Sequence, residues 1–176
     1  MVPRVLGAVA LGCALVVSPA GCGGDEKNDA KTVWAARVCD GVKRNAKRIS
    51  LPTVDQRDAR KSRAAILTFL GDMGGQLQAQ AADLDAAGAP PVAGGKATYQ
   101  ATVTNLAKVR LELGHVSADL RRAQVTDMNS LAKALRSYQA RMGAFASYQG
   151  PVKDLRANTE LDEAFRKAPQ CQGVGT

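Results

Sequence analysis

The sequence predicts an all-α domain: an antiparallel four-helix bundle, followed by a short C-terminal helix and stapled by one disulfide. Large apolar residues recur at steps of three and four along residues 31–167, with no alternating strand pattern. Pro and Gly interrupt this pattern only at wide intervals, so long helices fit between them. The 176 residues, with a formal net charge of +8, suit a single domain with one core.

Residues 1–21 are predicted to be an export signal. Arg4 and the amino terminus supply a positive start, and the apolar run Val5–Val17 follows. As a helix this run reaches only about 20 Å, whereas the hydrocarbon core of a membrane is about 30 Å thick. A secretory signal is therefore favoured over a membrane-spanning helix.

The apolar run is followed by Ser18, Pro19, Ala20, Gly21 and Cys22. Ala20-Gly21-Cys22 resembles the lipobox of bacterial lipoproteins, in which the cysteine is diacylated and becomes the new amino terminus. Pro19 departs from that pattern, because the family has Leu or another aliphatic residue there. The alternative is cleavage after Ala20 by an ordinary signal peptidase, which would give a secreted protein.

Cysteine parity favours lipidation. Cys13 lies within the apolar run and leaves with the signal. Lipidation of Cys22 then leaves Cys39 and Cys171 as one disulfide pair, whereas simple secretion leaves an odd number of thiols in an oxidising compartment. Residues 22–30 are rich in Gly and charge and are expected to be a flexible tether, with the bundle domain at 31–176.

The first two helices are predicted from their apolar faces. The first covers Lys31–Ile49, with one face formed by Ala35, Cys39, Val42, Ala46 and Ile49. After Pro52, Thr53 and Gln56 have the spacing of a capping box that opens a second helix, which runs to about Ala87. The apolar face of this second helix comprises Ile66, Leu70, Met73, Leu77 and Leu84.

Three more helices follow the break at residues 88–95 (GAPPVAGG). The third has an apolar face of Tyr99, Leu106, Val109, Leu113, Val116 and Leu120. Thr126 or Asp127 caps the fourth, which Gly150-Pro151 ends; its face comprises Met128, Leu131, Leu135, Tyr138, Met142 and Phe145. The last covers Glu160–Lys167, capped by Asn158 or Thr159, with Leu161 and Phe165 pointing inward. The Cys39–Cys171 bond is expected to hold it to the first helix.

The sequence offers no catalytic or metal-binding constellation, so we expect a non-enzymatic protein without a cofactor. His115 is the only histidine, lies off the apolar face of its helix, and is not part of a Glu-x-x-His pair. Gly71, Gly74 and Gly75 lack the Lys-Ser or Lys-Thr of a phosphate loop, and are expected to mark a kink or a close helix contact. Trp34 is expected to cover the core beside the disulfide, the alternative being an exposed ligand-stacking role.

Basic residues are concentrated in the first two helices and form a candidate surface for anionic lipid, a wall polymer or an envelope protein. They are Arg37, Arg44, Lys47, Arg48, Arg57, Arg60, Lys61 and Arg63. The alternative is a solvated face that serves only solubility. Nucleic acid is not an expected partner, because aromatic residues are not interleaved with the charge.

Both ends of the domain carry short motifs: Val38-Cys39 in the first helix, and Leu161, Ala164 and Phe165 before Ala168-Pro169 and Cys171. With the lipobox, these elements resemble the small secreted lipoproteins of actinobacteria. The resemblance implies an architecture and supplies no catalytic residues.

Two functions fit these observations. The first is a non-enzymatic binding or structural module of the cell envelope, anchored through Cys22 to the outer face of the cell membrane. The alternative is a helical bundle that binds a small molecule in a cavity between helices, lined by Met73, Leu77, Leu113 and Met142.

Overall fold

A computed structural model describes residues 25–46, 49–139, 141, 143 and 147–175. This part of the chain contains helices and no strand, which confirms the all-α class. The elements are α1 (Asp25–Asn45), α2 (Ala59–Ala87), α3 (Gly95–Arg122), α4 (Met128–Ser137), α5 (Pro151–Leu155), α6 (Thr159–Lys167) and a 3-10 turn (Pro169–Cys171). α2 packs antiparallel to both α1 and α3, because the contacts run in opposite order along the two partners of each pair. Trp34 and then Asn45 of α1 contact Ala87 and then Asp83 of α2. Arg63 and then Gln78 of α2 contact Ala123 and then Arg110 at the end and middle of α3.

The predicted boundaries at the start of the bundle need correction. α1 begins at Asp25 and ends at Asn45, so it overlaps the segment 22–30 that was expected to be a tether and stops before Ile49. The capping box at Thr53 and Gln56 is wrong: α2 opens at Ala59, where Asp58 accepts the backbone N–H of Lys61.

The later caps follow the prediction more closely. Asp127 forms a capping box with Ser130 at the start of α4, and Asn158 caps α6. Met142 and Phe145, predicted on the apolar face of the fourth helix, lie outside the described residues. Pro151, part of the break predicted at Gly150-Pro151, is the first residue of α5, a helix that was not predicted. The fixed φ of proline suits the first position of a helix.

The predicted disulfide is present and lies at the centre of the larger core cluster. Cys39 and Cys171 are bonded across 132 positions of sequence, with their Cα atoms 5.1 Å apart. Trp34, 5% exposed, packs edge-to-face on Phe165 with ring centroids 6.1 Å apart. Its indole N–H donates to the carbonyls of Ala87 and Gly88, each at 3.1 Å. Trp34 therefore has the core position expected of it. We call the end of the bundle that contains Trp34, Phe165 and the Cys39–Cys171 bond the stapled end.

A buried lysine also joins α1 to α6. Lys31 is 6% exposed, and its Nζ lies 3.4 Å from Oε2 of Glu163. Lys167 lies 2.6 Å from the other oxygen of that carboxylate. Lys167 first, and then Lys31, hold the pKa of Glu163 below its ordinary value. Lys31 therefore contributes to packing and not to an exposed basic surface.

Close approach of α1 and α2 occurs at Gly41 rather than at the glycines of α2. A Cβ on Gly41 would lie 2.7 Å from Cγ of Asp83, so a larger residue does not fit there. A Cβ on Gly71 or Gly75 would meet no other described atom within 4 Å, and one on Gly74 would make only an ordinary contact with Leu113. The interpretation of Gly71 and Gly75 as close-packing positions is therefore wrong.

A second core cluster lies at the opposite end, where α2 begins, α3 ends and α4 begins; we call this end the apex. Its buried members are Ala59, Leu70, Leu113, Val116, Leu120, Val125 and Leu131. α1 does not extend here, and the linker of residues 46–58 runs to the start of α2. The linker is fixed by the buried Ser62, whose hydroxyl accepts the N–H of Asp55 at 2.8 Å and donates to its carbonyl at 2.9 Å.

We expect loss of the disulfide to destabilise the domain by about 2–5 kcal/mol, since the bond closes a loop that spans most of the domain. The free energy of unfolding of Cys39→Ala/Cys171→Ala should be compared with that of Cys22→Ser by chemical denaturation. Cys22→Ser is the matched control, because it removes a thiol outside the pair. Equal stability of the two variants would contradict this role of the disulfide.

Candidate functional site

The structure separates the predicted basic residues into two groups. Trp34 contacts the last residue of α2, whereas Arg57, Arg60 and Lys61 lie at or just before the first turn of α2. With 29 residues, α2 is about 43 Å long. Arg37 and Arg44 are exposed along α1, far from the cations of the apex. The cations therefore do not form one face beside the amino terminus; Lys47 and Arg48 lie outside the described residues.

The basic residues also differ in their contacts. Arg63 is partly buried, and its Nη1 donates to the carbonyl of Ala123, the C-cap of α3, at 2.9 Å. Arg44 lies 3.5 Å from Asp83, and Lys61 lies 3.5 Å from Asp55. Exposed Arg57 and Arg60 form no ion pair with the described part of the chain. Arg63 is thus a structural residue. Among the described residues of the predicted set, Arg57 and Arg60 at the apex and Arg37 on α1 form no ion pair, so Arg57 and Arg60 are its unpaired cations at the apex.

The fold adds a cation that sequence reasoning missed. The contact between Arg63 and Ala123 brings the end of α3 beside the start of α2, so exposed Arg121 lies at the same end of the bundle as Arg60. Its neighbour Arg122 is paired with Asp119. We call Arg57, Arg60, Lys61 and Arg121 the apical basic patch. No sequence pattern links its two segments, because only the antiparallel packing of α2 and α3 brings them together.

The acidic residues nearest the patch along the chain already have partners within it. Asp55 accepts the backbone N–H of Arg57 at 3.0 Å, and this bond, together with Lys61, holds its pKa below the ordinary value. Asp58 accepts the N–H of Lys61 as the cap of α2. Both carboxylates stay ionised and offset part of the positive potential of the patch, but neither forms an ion pair with Arg57 or Arg60.

A groove of about 540 Å³ runs between α2 and α3 and reaches Arg121. Gly71 and Gly74 on α2 and Gly114 on α3 leave it open, because they place no side chain in it. Arg110 lines the same groove and donates to Gln78. The glycines thus make a surface groove that approaches the patch.

A separate pocket of about 290 Å³ lies at the apex beneath the linker. Leu70, Val116 and Leu120 are its most buried residues. The described residues that line it are Pro52, Val54, Ile66, Phe69, Leu70, Val116, Leu120, Leu135 and Tyr138, and among these the phenol of Tyr138 is the only polar side-chain group. The apex therefore combines an apolar pocket with a basic surface.

The cavity expected between Met73, Leu77, Leu113 and Met142 is not formed as one site. Met73 and Leu77 line a smaller pocket of about 210 Å³, whereas Leu113 lines the groove between α2 and α3. Met142 lies outside the described residues. The smaller pocket is also lined by Gln80 and Tyr148; Gln80 Oε1 and the Tyr148 hydroxyl have no hydrogen-bond partner in the described chain. Burial first, and then Asp154, raise the pKa of Tyr148.

We expect Arg63 and Arg60 to differ in their effect on stability. Arg63→Gln should lower the free energy of unfolding by about 1 kcal/mol, because it removes a donor from the carbonyl that ends α3. Arg60→Gln removes the same charge one turn earlier and should change stability by less than about 0.5 kcal/mol. Chemical denaturation of both variants checks this, and an equal loss would contradict the structural role of Arg63.

The remaining observations concern chemistry and likeness to known proteins. His115 is half-exposed, with Nδ1 3.8 Å from Oε1 of Glu112. Over the described ranges, no group of three or more His, Cys, Asp or Glu side chains could hold a metal ion, and no helix is both long and apolar enough to cross a membrane.

No protein-family model, curated protein or solved structure matches this chain.

Proposed function

We propose that the protein is an extracytoplasmic lipoprotein, anchored through a lipidated Cys22 to the outer face of the cell membrane. The observation that carries the proposal is the Cys39–Cys171 bond, because structural disulfides persist in oxidising compartments. With Cys13 inside the apolar leader, this pairing leaves Cys22 as the one cysteine for a lipid. Simple secretion with a free Cys22 is the competing outcome.

The helical domain acts, in this proposal, as a non-enzymatic module of the cell envelope that binds an anionic partner at its apex. α1 begins at Asp25, three residues after Cys22, and Trp34 of the same helix lies at the stapled end. A lipid on Cys22 would therefore hold the stapled end at the membrane. The apical basic patch lies about 43 Å further along the bundle, whereas electrostatic attraction fades over about 8 Å at physiological salt. A bundle standing on its anchor would therefore direct the patch away from lipid head groups, towards an anionic wall polymer.

A second candidate function is a bundle that binds a small molecule between its helices. The apolar pocket at the apex favours this candidate, because ligand sites are concave and mostly apolar. The two functions are compatible, since the pocket and the anchor occupy opposite ends of the bundle.

We expect cells that express the wild-type chain to incorporate a labelled fatty acid into it, because Cys22 is the only cysteine in the lipobox. Cys22→Ser should abolish the label and release the protein from the membrane fraction. Cys13→Ser is the control, since this residue leaves with the signal and labelling should persist. Equal labelling of wild type and Cys22→Ser would overturn the proposed anchoring.

We expect the Cys22→Ser chain to bind a soluble polyanion, polyglutamate, in a salt-dependent manner through its apex. Arg57→Gln/Arg60→Gln/Lys61→Gln should weaken this binding at least about tenfold, because each cation contributes to the local potential. Titrations at low and high salt measure the effect.

The matched control for this experiment is Lys96→Gln/Lys108→Gln/Lys153→Gln, which removes three exposed charges outside the patch. An equal loss in both triple variants would mean that only net charge matters. That result, or no binding by the wild-type surface, would contradict a role for the apical patch. Preferential binding to phosphatidylglycerol vesicles would replace the wall polymer by the membrane as the partner.

A further inference from the structure

We propose that the apolar pocket at the apex binds the hydrocarbon chain of a single-chain anionic amphiphile, a fatty acid of about twelve carbons, with its carboxylate beside the apical basic patch. The inference rests on the second candidate function above and names the ligand class of that site. It is independent of the lipid anchor at Cys22.

The lining of the pocket selects a hydrocarbon. Side chains from α2, α3, α4 and the linker present carbon to the pocket, apart from the phenol of Tyr138. A sugar or a nucleotide would leave most of its polar groups without hydrogen-bond partners in such a site. An alkyl chain has no polar groups that need hydrogen-bond partners, and its transfer from water into an apolar pocket is favourable.

The size of the pocket limits the length of that chain. A dry cavity of about 150 Å³ lined by aliphatic and aromatic residues holds one benzene molecule. The pocket at the apex, about 290 Å³, is nearly twice as large and has room for roughly twelve carbon atoms. Floor residues Leu70, Val116 and Leu120 are at most 4% exposed, so the inner end of the chain would be shielded from water.

The linker forms the outer wall of the pocket, and we expect the ligand to enter through this wall. Val54 lines the pocket and is 42% exposed, so it lies at the boundary with solvent. The next residue, Asp55, is held by Ser62 through two hydrogen bonds, which fixes the position of this wall relative to α2. Leu51 belongs to the same linker but is 83% exposed and does not line the pocket.

Charge complementarity at this wall selects an anionic head group. Arg57 follows Val54 by three residues, and Arg60 lies in the first turn of α2, six residues before Ile66 of the pocket. Neither arginine forms an ion pair with the described residues, and the neighbouring Asp55 and Asp58 are engaged within the chain. The acyl chains at Cys22 are not the occupant, since α1 begins at the opposite end of the bundle.

The first test is calorimetric titration of the Cys22→Ser chain with dodecanoate, below the concentration at which it forms micelles. We expect saturable binding of one molecule. Val54→Trp should fill the mouth of the pocket and weaken binding at least about tenfold, whereas Leu51→Trp, the same substitution outside the pocket, should leave it unchanged. Both positions are exposed and outside helices, and circular dichroism verifies that both variants stay folded.

The second test separates the head group from the chain. Arg57→Gln/Arg60→Gln should weaken dodecanoate about tenfold and leave uncharged dodecanol unchanged, while Lys96→Gln/Lys153→Gln should affect neither. If dodecanoate and dodecanol bind equally in every variant, the pocket still binds a small molecule, as the second candidate function states. The proposal that its ligand has an anionic head group would then be wrong.

Failure of the wild-type chain to bind any of these amphiphiles would overturn the inference, whereas the second candidate function would then require a ligand of another class. The labelling of Cys22 and the binding of polyglutamate do not depend on the pocket. Their outcomes therefore stand or fall separately from this one.

Discussion

The Cys39–Cys171 bond is the constraint on which the arrangement of the domain depends. α5 and α6 are short, and helices of this length are not stable alone in water. Each therefore needs a surface to pack on, and the bond places Cys171, just beyond α6, against α1. Once it is there, Phe165 meets Trp34, and Trp34 in turn holds the end of α2 through two carbonyls. One covalent contact thus orders α1, α2 and α6 at one end of the bundle.

The same constraint explains why the two ends of the bundle differ. At the stapled end, residues from both termini fill the core with Trp34 and Phe165, and the buried Lys31 is paired with Glu163. At the apex, α1 has already ended, so α2, α3 and α4 share their core with an irregular linker instead of a fourth helix. A linker covers less surface than a helix, and the apolar pocket lies where the linker meets α2 and α4.

The sequence predicted those features that depend on local pattern and failed where distant residues decide. The spacing of Leu106, Leu113 and Leu120 predicts α3, and all three are buried. Cysteine parity predicts the disulfide for a different reason: once Cys13 and Cys22 are assigned to the signal and the lipid, only the pair Cys39 and Cys171 remains. The start of α2 was misplaced because Ser62, buried by its neighbours, fixes Asp55 in the linker and leaves Asp58 as the cap. Arg121 was missed as a member of the basic surface because its position beside α2 is created by tertiary packing.

The two proposed ligands of the apex are linked through the same cations. A carboxylate bound beside Arg57 and Arg60 would neutralise part of the potential that attracts a polyanion, so an amphiphile in the pocket would weaken polymer binding at the patch. Coupling between two ligands is reciprocal, so polymer on the patch would weaken the amphiphile by the same factor. The coupling requires both arginines to be free in the unliganded protein, and in the described chain neither is paired. A patch and a pocket that share their cations would make the apex responsive to lipid, whereas the stapled end and its anchor would be unaffected.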